Sequence, residues 1–282
     1  MSQQESVARV ESGDADYVVD GVPPDAAARL ASRFGPRSPA ARSRRQQYFV
    51  NPKLELDFLV LNGRRPLFAD ARLRRAVSYA IDRRVLARAD VAPAVPADHY
   101  LPPNMPGVGQ GRLYPFGPDL AKARRLVGGR RGTAVYYTCD LLPCTRVAQS
   151  VKESLNAIGI DVRVEEFPLG TFLDKLGTPG EPFDIAFFGH NADDPDPGNY
   201  LEGLPLLLRD PVYARKLRAA ASLSGARRYL AYGALDVDLA RNAVPLAVFA
   251  AEVSQDFFSA RMGCQAYNPL YGMDLAALCI RR

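Results

Sequence analysis

The stretch Leu59–Arg83, LVLNGRRPLFADARLRRAVSYAIDR, carries a strand, a turn and a helix in one short span. Its first residues finish a run from Leu54 to Leu61 with enough apolar alternation to read as a strand, closed by Asn62 and Gly63. Asp70 stands where a side-chain oxygen can cap the first free N–H groups of a helix. Beyond it, Leu73, Val77, Ala80, Ile81 and Val85 recur at helical spacing on one face, while Arg72, Arg75 and Arg83 fall away from it. That apolar face has to pack on a sheet or another helix.

On the C-terminal side, prolines and glycines from Val91 to Pro118 are too frequent for long regular elements and predict a wrapped loop with turns. Pro118 sits in the first turn of a helix that stops at Gly128 and Gly129. A βαβ unit follows. Ala134–Thr138 is extended, and Arg146–Ile158 is helical with Val147, Val151, Leu155 and Ile158 inward. Gly159 ends that helix, and Ile160, Val162 and Val164 alternate with charges. A helix near Thr171–Leu176 and an apolar strand Ile185–Phe188 continue the alternation, so a partly parallel α/β sheet is the economical architecture. After it come an acidic loop, helices from about Pro211 and Ala226, a strand over Val244–Ala250, and short extended pieces over Phe257–Tyr271. On the N-terminal side, Gln3–Glu11 reads as a helix, Tyr17–Val19 as a short strand, and Asp25–Phe34 as a helix introduced by Pro23 and Pro24. The dense basic segment Ser38–Gln47 reads as an exposed loop. No internal repeat is visible.

With 282 residues, 48% apolar and 24% charged, the chain has the composition of a globular protein of one large or two modest domains, which excludes disorder and fibre. No run approaches the roughly 18 to 20 uninterrupted apolar residues of a membrane-spanning helix. The net charge of +5 comes from arginines spread along the chain, with neither a nucleic-acid motif nor basic residues interleaved with aromatics, so no nucleic-acid partner is expected. The start, Met-Ser-Gln-Gln-Glu, lacks a basic segment followed by an apolar run, so no signal peptide is expected in this chain.

The four cysteines form two near pairs, Cys139 with Cys144 and Cys264 with Cys279, which permits two local disulfides in an oxidising compartment. Structural zinc competes with that reading, but only His99 and His190 are available and there is no Cys-x-x-Cys. No Gly-x-Ser-x-Gly, phosphate-binding glycine loop or His-Glu metal motif occurs, so neither an enzyme nor a cofactor nor a metal is expected.

Several segments, in order, resemble the family of ABC-transporter solute-binding proteins that includes the oligopeptide-, dipeptide- and nickel-binding proteins. The stretch Leu59–Arg83 is similar to that family's strand, Asn, Pro-Phe-x-Asp, Arg-x-Arg-x-Ala and Tyr-Ala-Ile-Asp series. LPPNMPG at Leu101–Gly107, YPFGPDLAKA at Tyr114–Ala123, LNAIGIDVRV at Leu155–Val164, DIAFFGHNADDPDPGNYL at Asp184–Leu201 and NPLYGMDLAALC at Asn268–Cys279 support it, as does SGDAD at Ser12–Asp16. The resemblance implies a periplasmic-binding-protein-like α/β fold of type II, cluster C. In that fold residues 58–242 would be lobe II, residues 1–57 a lobe I remnant with the basic loop, and residues 243–282 a segment returning to lobe I. It also implies a chain that begins partway through lobe I of an extracytoplasmic protein, periplasmic or at the cell surface. Such a protein is monomeric and captures a peptide or similar small solute for the permease subunits of an ABC importer. A non-transport interaction module, or a fragment without function, is the alternative.

In the family a loop after a central strand faces the ligand, and the resemblance places Asp193 as the carboxylate that pairs with a peptide α-ammonium. His190, Asn191 and Asp194 lie in that segment. His190 stands where many members have Trp. Tyr137, Cys139 and Asp140 occupy the loop where dipeptide binders place an arginine, which this chain lacks before Arg146. The alternative is that Asp193, Asp194 and Asp196 simply decorate a proline-rich solvated turn. A calcium loop is disfavoured by Pro195 and Pro197. The resemblance of the tail to exported members predicts a Cys264–Cys279 disulfide, with Cys139–Cys144 a second that stiffens its loop.

Overall fold

Helices α1 (Gln3–Ser12), α2 (Pro24–Phe34) and the one-turn α3 (Pro39–Arg42) precede the first strand, β1 (Tyr48–Leu61), in the computed structural model, which describes residues 2–19, 21–89, 92–204 and 210–281. The strand expected from Leu54 is therefore the second half of a longer one. The chain divides into two units, Met1–Lys53 with Val253–Arg282, and Leu54–Glu252. These divisions fall inside two strands, where the sequence reading drew them at 57/58 and 242/243.

The second unit contains α4 (Ala71–Ala80), α5 (Arg83–Ala89), β2 (Ala94–Pro96), α6 (Leu120–Val127), β3 (Gly132–Cys139), α7 (Cys144–Asn156) and β4 (Ile160–Phe167). It continues with α8 (Leu169–Gly177), β5 (Ile185–Asn191), α9 (Pro197–Gly203), α10 (Pro211–Ala221) and α11 (Gly225–Asp238). A π-helical turn (Leu239–Ala243) then leads into β6 (Leu246–Phe257). The sheet has the order β2-β6-β1-β5-β3-β4. β3 runs parallel to β4 and β5, whereas β1 with β5 and β2 with β6 are antiparallel. Burial follows position in the sheet. Leu56 to Leu61 of the interior β1 is buried at every residue, because both faces are covered, while edge strand β4 alternates Ile160 and Val162 inward with Asp161 and Arg163 outward.

The Leu59–Arg83 segment departs from its sequence reading at its end. Asp70 caps α4 by accepting from the Arg72 N–H at 2.8 Å, and Leu73, Val77 and Ala80 are buried as expected. The helix stops at Ala80, Ile81 is extended, and Asp82 accepts from the Arg84 and Val85 N–H groups to begin α5. The new helix resets the periodicity, so Val85 is exposed and Arg83, expected in water, is buried. The Arg83 guanidinium donates to the carbonyls of Ala97, Val248, Ser78 and Pro115 at 2.8 to 3.2 Å and lies over the Tyr114 ring. Burial lowers its pKa to about 10, so it remains a cation at neutral pH.

In the first unit, Val7 and Val10 of α1 and Ala26 and Leu30 of α2 pack with Val18, Val22, Tyr48 and Phe257. The strand expected at Tyr17–Val19 is a single bridge from Tyr17 to Phe258, whose rings stack at 4.5 Å. The expected basic loop contains α3, because Ser38 accepts from the Ala41 N–H and Pro39 fits the first helical turn. The tail forms two small ribbons, β7 (Met262–Gly263) with β10 (Cys279–Ile280) and β8 (Tyr267–Asn268) with β9 (Gly272–Met273). Cys264 and Cys279 are joined by a disulfide, as are Cys139 and Cys144.

Candidate functional site

Strand β5 carries the candidate segment. It runs beyond the expected Phe188 to Asn191, paired residue by residue with β1, Leu56 opposite His190 and Glu55 opposite Asn191. The last rung is the Ala192 N–H donating to the Leu54 carbonyl at 2.8 Å, so Asp193 is the first residue past the ladder. The loop expected after it contains α9, which begins with Asp196 as cap and Pro197 at its first position.

The three aspartates of this loop do different things. Asp196 accepts from the Gly198 and Asn199 N–H groups and receives both arms of Arg228 at 2.5 and 2.9 Å. The guanidinium, together with those N–H groups, holds its carboxyl below the usual range against the opposing effect of burial. Asp194 accepts from the Asp196 N–H at 2.9 Å and the Asn199 side-chain amide at 2.7 Å. Asp193 is exposed and takes no hydrogen bond or ion pair among the described residues. Two carboxylates shape the turn, and the third is left for solvent or a ligand.

His190 is half-buried, its ring 4.7 Å from that of Tyr200 on α9, whose hydroxyl donates to the His190 carbonyl at 3.0 Å. A side chain at Gly203 would meet the ring at 2.7 Å, so the glycine makes room for it. Burial lowers the His190 pKa, and the Tyr200 backbone and the Asp193 charge pull the other way without reversing the shift. The ring is therefore neutral at pH 7 and adds no cation beside Asp193. The Asn191 amide is directed at the Glu55 carboxylate.

Of the other expected residues, Tyr137 and Cys139 lie on β3, the parallel neighbour of β5, and Asp140 lies just past its end, near the same C-terminal strand ends. Tyr137 is buried against Phe167 and Phe183, and its hydroxyl donates to Glu181 at 3.0 Å. Burial and Glu181 push its pKa up to about 12. Cys139 is buried in its disulfide, whereas Asp140 is exposed and its N–H is bonded to the Phe167 carbonyl. No hydrogen bond or ion pair among the described residues joins this group to Asp193. The structure thus gathers His190, Asn191, Asp193 and Asp194 on one strand end and places Tyr137, Cys139 and Asp140 on the next.

Sequence reasoning missed a cavity of about 530 Å³ lined by Val60, Leu173, Leu176, Phe183, Phe188 and Arg64 among others. Leu173 and Leu176, three apart on α8, were its sequence signal. Arg228, the partner of Asp196 from α11, left none. Among the described residues no cluster of three or more histidine, cysteine or carboxylate side chains is arranged to hold a metal ion, and no helix is long and apolar enough to cross a membrane.

Residues 1–205 match the model of the bacterial extracellular solute-binding proteins, family 5 Middle. The chain is 27% identical over 215 residues to the periplasmic oligopeptide-binding protein OppA of Escherichia coli (strain K12), covering 71% of this chain and 37% of that protein. It is 28% identical over 149 residues to di/tripeptide-binding protein 2 of Pseudomonas aeruginosa (strain UCBPP-PA14), covering 50% and 28%. The structure of HbpA2 from Haemophilus parasuis superposes with a TM-score of 0.82 at 16% identity, over all of this chain and 57% of that one, a likeness of fold. The chain thus spans between about a quarter and three-fifths of these proteins. With a family model matched over most of its length and the same fold in a solved relative, the chain belongs to the bacterial extracellular solute-binding proteins of family 5.

Proposed function

We propose that the chain forms part of an extracytoplasmic, monomeric protein that binds a peptide or related small solute and delivers it to the permease subunits of an ABC importer. In this reading Leu54–Glu252 is lobe II and the other unit belongs to lobe I. The observation that carries it is the division of labour in the aspartate loop, where Asp194 and Asp196 are tied into the turn and Asp193 is not. A carboxylate fixed at a strand end beside a neutral ring suits an ammonium group, which it receives in a charge-assisted hydrogen bond. The names of the two sequence relatives, an oligopeptide and a di/tripeptide binder, point to the same ligand class. His190 and Asn191 would flank the ammonium, and Tyr137, Cys139 and Asp140 would shape the adjoining wall. The cavity beneath α8 would take an apolar side chain of the ligand.

Calorimetry with a tripeptide bearing a free N-terminus and its N-acetylated form tests this. Asp193→Asn is expected to cost the free peptide about 1.5 to 3 kcal/mol and the acetylated one little. Equal losses would remove Asp193 from the ammonium role, and no binding of either peptide by the whole protein of which this chain forms part would overturn the peptide reading.

A further inference from the structure

A second cavity lies on the far side of α5 from the buried Arg83. Its volume is about 520 Å³ and it is lined by Val85, Arg88 and Ala89 of α5 and by Thr145, Arg146, Gln149 and Ser150 of α7. Val85, Arg88 and Ala89 are spaced three and four apart, as are Arg146, Gln149 and Ser150, so each helix offers one face to the groove. The size falls within the range of small-molecule sites.

Among the described residues the charge of this lining is one-sided. Arg88 and Arg146 are both exposed, and neither has an ion pair or side-chain hydrogen bond among the described residues. The cavities around Arg64 and Arg74 each include a carboxylate in their lining, Glu181 and Asp210, and among the described residues this groove shows none. Of the described acids close by in sequence, Asp82 caps α5, and Glu153 is hydrogen-bonded to the lining residue Gln149 at 2.7 Å. Thr145 and Ser150 add hydroxyl donors beside the guanidiniums, while Val85 and Ala89 supply an apolar floor. Two guanidinium forks suit an oxyanion, which each can hold bidentately, and the floor suits a hydrocarbon body attached to it. We infer that the α5–α7 groove binds a soluble amphiphilic anion, a phosphate-type group on a short apolar body, at a site separate from Asp193.

The test is equilibrium dialysis of the full chain against octyl phosphate, inorganic phosphate and octyl glucoside, with flotation on phosphatidylglycerol vesicles as a fourth arm. Saturable binding of octyl phosphate is expected, with weaker inorganic phosphate and negligible octyl glucoside. Arg88→Gln and Arg146→Gln should each weaken octyl phosphate about tenfold, and Arg215→Gln on α10 should leave it unchanged. Octyl phosphate should also protect Arg88 and Arg146 of the unsubstituted protein from an arginine-specific dicarbonyl reagent, a readout independent of whether the variants fold. The inference is overturned if octyl phosphate fails to saturate or to protect, or if the double variant binds it normally. It is equally overturned if inorganic phosphate or octyl glucoside binds as well as octyl phosphate, or if only vesicles bind.

Discussion

His99 and His190 are both half-buried in the Leu54–Glu252 unit, and their surroundings drive them in opposite directions. At His99, Nδ1 is 2.6 Å from an Asp236 carboxylate oxygen and Nε2 is 2.9 Å from the Gly111 carbonyl. Both partners can only accept, so both ring nitrogens carry protons and the ring is an imidazolium. Burial alone would favour the neutral ring, but the Asp236 carboxylate outweighs it and raises the pKa to about 9. His190 has an aromatic neighbour and no such carboxylate bond, and burial lowers its pKa. One histidine is a cation at neutral pH that fastens the Pro-rich loop to α11. The other is a neutral wedge beside a free carboxylate. A histidine's role is thus set by whether its nitrogens meet acceptors, and its degree of burial is a poor guide.

The largest effect that could break this contrast is the loss of Asp236, which is fully buried and also accepts from the Tyr100 N–H at 2.6 Å. Asp236→Ala strands a buried imidazolium and is expected to cost about 3 to 5 kcal/mol in urea denaturation at pH 7. A loss below about 1 kcal/mol would show that His99 is not held as a cation. Next comes pH. The folded His99 pKa is raised, so its contribution is complete below the ordinary histidine value of 6.5 and disappears as pH rises through about 9. The shift corresponds to stabilisation on the order of 3 kcal/mol. The difference in unfolding free energy between the unsubstituted protein and His99→Gln should therefore shrink between pH 7 and 10. A difference that stays constant across that range would contradict the assignment, as would proton NMR ring titrations placing His99 below His190. The smallest effect sharpens the other side. Gly203→Ala drives a methyl into the His190 ring and is expected to cost about 1 to 2 kcal/mol, with a shift of the His190 ring resonances. Unchanged resonances would mean the ring moves aside freely.

Much of the α/β order was legible because apolar period and helix caps are local properties. Asp70 and Gly128 mark helix ends in the sequence and do so in the structure. The break at Ile81–Asp82 was missed because an apolar face running on to Val85 hides a change of axis. The three-residue β2, in a proline-rich loop, is recruited by β6 far along the chain and has no signal of its own. α9 did have one, Asp196 followed by Pro197, obscured by the acidic composition around it. At the candidate site the resemblance singled out Asp193, but the residues themselves gave no physical reason to separate it from Asp196, because Arg228, which ties down Asp196, is supplied by another helix. His99 and Asp236 are likewise joined by the fold across most of the unit.

The interior position of β1 has a kinetic consequence. Its hydrogen-bonded neighbours are β5 and β6, so Glu55 waits for Asn191, and Leu61 for Ile185 and for the Pro245 carbonyl. A ribosome must deliver most of the polypeptide before the middle of the sheet can close, leaving an apolar strand unshielded during synthesis. Such high contact order slows folding. The same delay leaves the emerging strand within reach of any chaperone that binds extended apolar segments.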